Sequence, residues 1–439
     1  MPDMTETYAV IGAGPSGLAA ARALQRHGIP WTGYELAGDV GGLWDIDGPR
    51  STVYESAHLI SSKTTTQFAE FPMADSAPDY PGHRELLRYF RAYASEYGLR
   101  DGFAFRSEVV KAEPVGTGDT AEGWDVTVNT PEGAVTRRHA GVVLANGTLS
   151  EPNLPDFSGK FDGEVIHTSA YKRAAQLAGK RVLIVGAGNS GCDLAVDAVH
   201  HAASVDISVR RGYHFVPKYL FGKPADTLNQ GKPLPARIKQ AIDGRILKLF
   251  TGDPVRFGFP EPDHRIYESH PIVNSLILHH LGHGDLAVRP DISRFDGRAV
   301  EFRDGTRTDY DLVILATGYR LHYPFVDPAL LRWTGAAPDL YLNIFSDTAP
   351  GLFVLGMIEA SGIGWQGRAE QAELVASYLA ALAGAPERAA AFATKIHGPR
   401  PDLSGGYRYL GLDRMAYYVN KDAYRTAVRA ATAELKGRG

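Results

Sequence analysis

Short apolar runs, each ended by glycine and followed by helical spacing, set the rhythm of this 439-residue chain. Tyr8-Ala9-Val10-Ile11 predicts a buried strand, and Leu18, Ala21 and Leu24 behind it fall on one face of a helix. The pattern returns at Val182-Leu183-Ile184-Val185, followed by Cys192, Ala195 and Val199. Further strands are predicted at 31–34, 124–128, 142–145, 205–209, 312–316 and 352–355. A helix follows the last of these, with Ala372, Val375, Ala376 and Leu379 on one side. The stretch 113–123, rich in Gly, Thr and Glu, predicts a hairpin loop. Strands alternating with helices place the chain in the α/β class.

The turns between these strands and helices carry the candidate chemistry. Gly12-Ala13-Gly14-Pro15-Ser16-Gly17 closes the first unit and Gly186-Ala187-Gly188-Asn189-Ser190-Gly191 the second. One GxGxxG is weak evidence where 48 of 439 residues are glycine. Two, each between an apolar run and a helical pattern, predict two Rossmann-like dinucleotide-binding units, with a pyrophosphate facing each helix N-terminus. The next strand of each unit separates them. The first ends at Glu35, a carboxylate placed for ribose hydroxyls, and reads as an FAD site. The second ends at Arg210 and Arg211, guanidinium groups suited to a 2′-phosphate, and reads as an NADPH site.

The expected organisation is an FAD domain over 1–165, an NADPH domain over 172–325 and a return to the FAD domain over 326–439. The NADPH domain would thus be inserted in the FAD domain. Pro217, Pro224, Pro233, Pro235, Pro254, Pro260 and Pro262 among short helical runs mark a small helical insertion at about 213–284, read as a lid near the nicotinamide. Within it His279, His280 and His283 lack a carboxylate or cysteine at a recognisable ligand spacing, so no metal is expected.

Composition narrows the partners. Hydrophobic content of 44%, charge of 22% and a net charge of −4 suit a soluble globular protein, with no electrostatic case for nucleic acid or an anionic membrane. No apolar run has the length of a membrane span, and the first six residues lack a signal peptide's regions. A cytoplasmic location and a possible homodimer are the expectations. The single cysteine, Cys192, excludes a dithiol relay within the chain.

Between the fingerprints lies Phe161-Asp162-Gly163-Glu164-Val165-Ile166-His167-Thr168-Ser169-Ala170-Tyr171-Lys172, which matches FxGxxxHxxxY followed by a basic residue. With Gly41-Gly42-Leu43-Trp44, Asn189-Ser190-Gly191-Cys192-Asp193 and Ala316-Thr317-Gly318-Tyr319, the chain resembles the flavin-containing monooxygenases, among the class B flavoprotein monooxygenases, over nearly its whole length. The resemblance implies that Gly42, Leu43 and Trp44 line FAD. It also assigns Pro15, Ser16, Ser61, Val109, Asn189, Ser190, Thr317 and Gln371 to cofactor binding, with the fingerprint glycines, Glu35, Arg210 and Arg211. His167 is either a catalytic candidate or a linker that positions the two domains.

The chain departs from the family at Ile60, where an asparagine commonly helps hold the flavin peroxide and the nicotinamide. Ser61, Ser62 or backbone groups are left to substitute for it. A second departure is Asn146, where threonine is more usual. Ile60, Ser61 and His167 are therefore the positions nearest to the chemistry. The implied reaction is reduction of FAD by NADPH, then reaction with O2 to a C4a-hydroperoxide that oxygenates a nucleophilic N or S atom of a small molecule. Tyr171-Lys172 favours this heteroatom branch, since Baeyer–Villiger enzymes more usually carry tryptophan at the tyrosine position. Baeyer–Villiger oxidation of ketones, an uncoupled NADPH oxidase and a non-catalytic flavin-binding protein are the alternatives.

Overall fold

The computed structural model describes residues 7–116, 122–229 and 234–438. The tip of the predicted hairpin loop at 117–121, the first six residues and Pro233 lie outside the described residues. Two parallel five-stranded sheets organise the rest. The first runs in the order Leu352–Val354, Gly141–Leu144, Tyr8–Ile11, Trp31–Glu35, Phe103–Phe105. The second runs Glu164–His167, Leu312–Leu315, Arg181–Val185, Ser204–Ser208, Ala287–Arg289.

Successive strand residues point to opposite faces, and that alternation sorts the core into four clusters. In the first sheet Val10, Val143 and Phe353 pack against the helices Pro15–Arg26, His83–Glu96 and Gly364–Gly384. Ala9, Ile11, Val142, Leu144 and Val354 face the other way, onto Val109, Ala112, Trp124, Val126 and Val128. These last belong to an antiparallel sheet of Glu108–Pro114, Trp124–Thr130 and Gly133–His139. The second sheet divides likewise. Val182, Ile184, Ile207 and Ile314 meet the helix Asn189–His201, whereas Leu183, Val185, Val313 and Leu315 meet Val300 and Phe302 of a four-stranded sheet and Tyr310 just beyond it. A run apolar on every residue, such as Leu312–Leu315, is what a strand buried on both faces requires.

Two expected borders shift. The border at 165 cuts the strand Glu164–His167, all of which pairs in the second sheet, and Gly159–Phe161 also pairs with a strand of that half. Residues Leu321, Tyr323 and Phe325 pack in the core of the first half, so the return begins before 325. The two crossings between halves are paired to each other: Glu151–Pro152 runs antiparallel to Tyr319–Arg320. The insertion lies between the strands Ser204–Ser208 and Ala287–Arg289 and holds the helices Ala236–Thr251 and Leu276–His283. At the end of the latter, Asp285 lies 2.8 Å from His280 Nδ1 and 3.7 Å from His283 Nδ1, a carboxylate that the spacing argument passed over. It closes a helix end, and His279 is exposed. No helix among the described residues is long and apolar enough to cross a membrane.

One buried histidine ties the first sheet to its antiparallel cover. His139 is fully enclosed and shares hydrogen bonds with Thr7 Oγ1 and the Tyr34 hydroxyl, both 2.9 Å. Burial lowers its pKa from 6.5 to about 4. The unfolded chain therefore takes up a proton below about pH 6.5 that the native state refuses until about pH 4. Stability is complete above the higher value and is lost as pH falls towards the lower one, by about 3 kcal/mol for this group. Urea midpoints measured from neutral pH down to pH 4 are expected to fall less steeply in His139→Gln than in the unmodified chain.

Candidate active site

The two glycine turns have nearly the same build. Gly12 has φ +102°, and a β-carbon there would stand 2.7 Å from the Ala145 carbonyl oxygen; at Gly186 φ is +105° and the Ala316 oxygen is 2.6 Å away. A methyl on Gly17 would meet the Gly12 oxygen at 1.8 Å, and one on Gly191 the Gly186 oxygen at 2.0 Å. Each helix can thus start only where strand, turn and helix touch backbone to backbone. The helices Pro15–Arg26 and Asn189–His201 have no side-chain N-cap, which leaves their first N–H groups for an anion. At Gly188 the space where a side chain would project is open, whereas Gly14 faces the Gly42 Cα at 3.4 Å. Both turns therefore fit a dinucleotide pyrophosphate.

Around the first turn, Glu35 sits buried at its strand end and accepts from Ala13 N (2.6 Å) and Ala37 N (2.8 Å). Burial raises its pKa and these N–H groups oppose the rise. Each oxygen keeps a lone pair for a ribose hydroxyl. Gly42, Leu43 and Trp44 form a short helical turn, with Trp44 edge-on to Trp365. Gln371 is wholly buried. It accepts from Gly356 N (2.9 Å) and donates to the Tyr424 hydroxyl (2.7 Å), which holds the turn that packs on Ser16. Val109 belongs to the antiparallel sheet and points into the core between it and the first parallel sheet.

Around the second turn a cleft of about 1630 Å³ opens. Gly186, Gly188, Asn189, Ser190, Gly191, Arg210 and Thr317 line it, and so do Ile60 and Ser61 from the first half. The two cationic positions differ. Arg210 is exposed, with no ion pair among the described residues, whereas Arg211 binds Asp263 of the insertion through Nε (3.2 Å) and Nη2 (2.7 Å). Asn189 is occupied, accepting from Val273 N (2.7 Å) and donating to the Pro271 oxygen (3.2 Å). Ser61 Oγ pairs with Thr66 Oγ1 at 2.7 Å, and Thr317 Oγ1 donates to the Asn153 oxygen at 2.6 Å.

His167 stands apart from the cleft wall. Its Nδ1 accepts from Ser169 N (3.1 Å), so the proton sits on Nε2, which donates to the Gly318 oxygen (3.0 Å). Burial lowers its pKa, so the ring is neutral and both nitrogens are engaged within the chain. Nearby, the Tyr171 hydroxyl donates to Asp197, and Lys172 Nζ reaches the carbonyl oxygens of Ser51 (2.8 Å) and Val53 (3.2 Å). The motif that carries the resemblance thus holds the two halves together.

Sequence reasoning missed several cleft residues. Asp226 of the insertion accepts from Ser62 N (2.7 Å) and Ser62 Oγ (3.0 Å), next to Ile60 and Ser61. His270, Glu359, Arg368 and Arg414 meet on another wall. Glu359 and Arg368 are close in the chain, but the others come from separate segments, and no local spacing marks the group.

Residues 5–396 match the family described as flavin-binding monooxygenase-like. Flavin-containing monooxygenase 5 of Oryctolagus cuniculus is 31% identical over 381 residues, which cover 81% of this chain and 69% of that protein. Among solved structures, the S-allyl-L-cysteine S-oxygenase of Allium sativum is similar at a TM-score of 0.66 and 19% identity, over 97% of this chain and 88% of that one. An open cyclohexanone monooxygenase is similar at 0.70 and 19%, over 98% of each chain. At such identities the structural likeness shows the fold. The family match, on the two nucleotide turns and the cleft between them, shows that the chain belongs to the flavin-binding monooxygenases and is an oxidoreductase that uses FAD, NADPH and O2.

Proposed function

We propose that the enzyme oxygenates a nucleophilic nitrogen or sulfur atom of a small molecule. The observation that carries this reading is the shared cleft, which Ile60 and Ser61 enter from the FAD half and Gly188 and Arg210 from the NADPH half. When bound, FAD accepts hydride from NADPH and activates dioxygen. The chain's own residues hold and orient. Glu35 and the first turn fix the flavin nucleotide, while Gly188 and Arg210 fix the nicotinamide nucleotide. The insertion, through Asp226 on Ser62, roofs the cleft and limits water. A thioether or amine is already a nucleophile, so no general base is required of the protein. In support, Tyr171 rather than tryptophan packs at the domain junction, with its hydroxyl on Asp197 at 3.1 Å.

A second reading rests on Ile60, whose side chain has no hydrogen-bonding group in the cleft. It is a largely uncoupled NADPH oxidase. One experiment separates these readings and Baeyer–Villiger chemistry: a thioether and a cyclic ketone offered together with NADPH, scoring products and hydrogen peroxide. Sulfoxide is the expected main product. Lactone in excess would establish ketone oxidation, and peroxide equal to the NADPH consumed would establish the oxidase.

A further inference from the structure

The wall of the cleft away from the nucleotide turns carries charged groups that belong to neither glycine turn nor its strand end. Arg368 stands one turn into the helix Gly364–Gly384, and Arg414, Glu359 and His270 face the same space. Arg414 is joined to Glu359, and His270 Nδ1 lies 3.8 Å from the same carboxylate. The guanidinium of Arg368 donates to carbonyl oxygens, those of Gly364 at 2.8 Å and Ile358 at 3.5 Å, and bonds to no carboxylate among the described residues. Glu370, two residues further on, is taken by Arg425 and Arg429. Burial and, after it, Arg414 bring the pKa of His270 down to about 4 against the upward pull of Glu359, so the imidazole is neutral at neutral pH. Glu359 is thus engaged by Arg414, while Arg368 has only carbonyl oxygens as hydrogen-bond partners among the described residues. Burial also lowers the pKa of Arg368, against which Glu359 pulls upward. A half-buried cation with no hydrogen-bonded anion is costly to keep, and a planar guanidinium fork is shaped for two parallel bonds to a carboxylate.

We propose that Arg368 is a substrate-binding residue that anchors a carboxylate, so that the enzyme takes small organic acids bearing a thioether or amine. The inference rests on the heteroatom reading above and names its substrate class. The shared chemistry is a planar anionic pair of acceptor atoms, two oxygens in a carboxylate and N1 with O2 in reduced flavin. The test therefore needs an arm for each source.

The probes are (methylthio)acetate and its methyl ester, which present the same sulfur with and without the charge. Their dissociation constants are measured by calorimetry on the FAD-loaded, NADP-bound enzyme, with flavin content recorded for every variant. The acid is expected to bind at least about tenfold more tightly than the ester. Arg368→Met is expected to erase that preference, and Arg368→Lys to keep part of it as a point charge. Equal binding of acid and ester to the unmodified enzyme would overturn the proposal. So would a preference that survives Arg368→Met, or one that survives while the flavin's midpoint potential drops, which would assign the cation to the flavin. If Arg368→Met holds no FAD, the acid–ester comparison and Arg368→Lys still decide. Calorimetry needs no turnover, so an enzyme that prefers the acid yet oxygenates neither probe would sink the heteroatom reading and leave the anchor standing.

Discussion

Gly17→Ala is expected to give a colourless protein. The added methyl would lie 1.8 Å from the Gly12 oxygen and 2.8 Å from its carbonyl carbon, both backbone atoms that no rotamer change can move aside. Gly12 is itself pressed onto Ala145, so the helix Pro15–Arg26 has to draw away from the strand that feeds it. This removes the N–H cradle and opens the core beneath it, a loss in the exceptional range of about 4 kcal/mol or more. Flavin absorbance per chain is the measurement, and FAD content below about a tenth of normal is the expected result. Gly191→Ala repeats the clash at 2.0 Å in the other half. That variant is expected to stay yellow but no longer to be reduced by NADPH. A fully yellow Gly17→Ala protein would remove the first turn from the FAD site.

Arg210→Ala is expected to raise the KM for NADPH by about ten- to a hundredfold while changing that for NADH much less. A hydrogen bond to a charged group contributes about 1.5–3 kcal/mol, and each 1.4 kcal/mol is tenfold. Arg210 faces the cleft without an ion pair among the described residues, so its charge is free for a 2′-phosphate. Arg211 is held by Asp263, whose pKa the Arg211 hydrogen bond and His264 bring down to about 2. Arg211→Ala is therefore expected to have the smaller effect. Steady-state kinetics with both coenzymes checks the pair, and equal losses for NADPH and NADH would show that neither arginine reads the phosphate.

Much of this was legible because buried parallel strands advertise themselves. Apolar runs such as 182–185 and 312–315, each followed by a glycine turn, locate the sheets, and the proposed assignment of the two nucleotide sites rests on Glu35 against Arg210. The edge strand Glu164–His167 was harder to place, since Val165 is 43% exposed and the segment reads as linker. Gln371 shows a different limit. The family resemblance names the position, but only the fold shows its amide spent on Gly356 and Tyr424. The wall formed by His270, Glu359, Arg368 and Arg414 was not legible at all. Charge compensation such as that of Glu359 by Arg414, 55 residues apart in the chain, leaves no periodic trace, and Asp226 reaches Ser62 across a gap of 164 residues.

The short ladder between Glu151–Pro152 and Tyr319–Arg320 has a mechanical corollary. Asn153 N donates to the Gly318 oxygen at 2.9 Å, and His167 reaches that same oxygen, so the outgoing and incoming connectors form a single stiff spindle. Neither connector stretches independently, and a swing that admits or releases coenzyme has to turn about this axle. Such a swing leaves both sheets intact and is resisted by the bonds that cross between the halves, among them those of Lys172 to Ser51 and Val53, Tyr54 to Asp193 and Ser62 to Asp226.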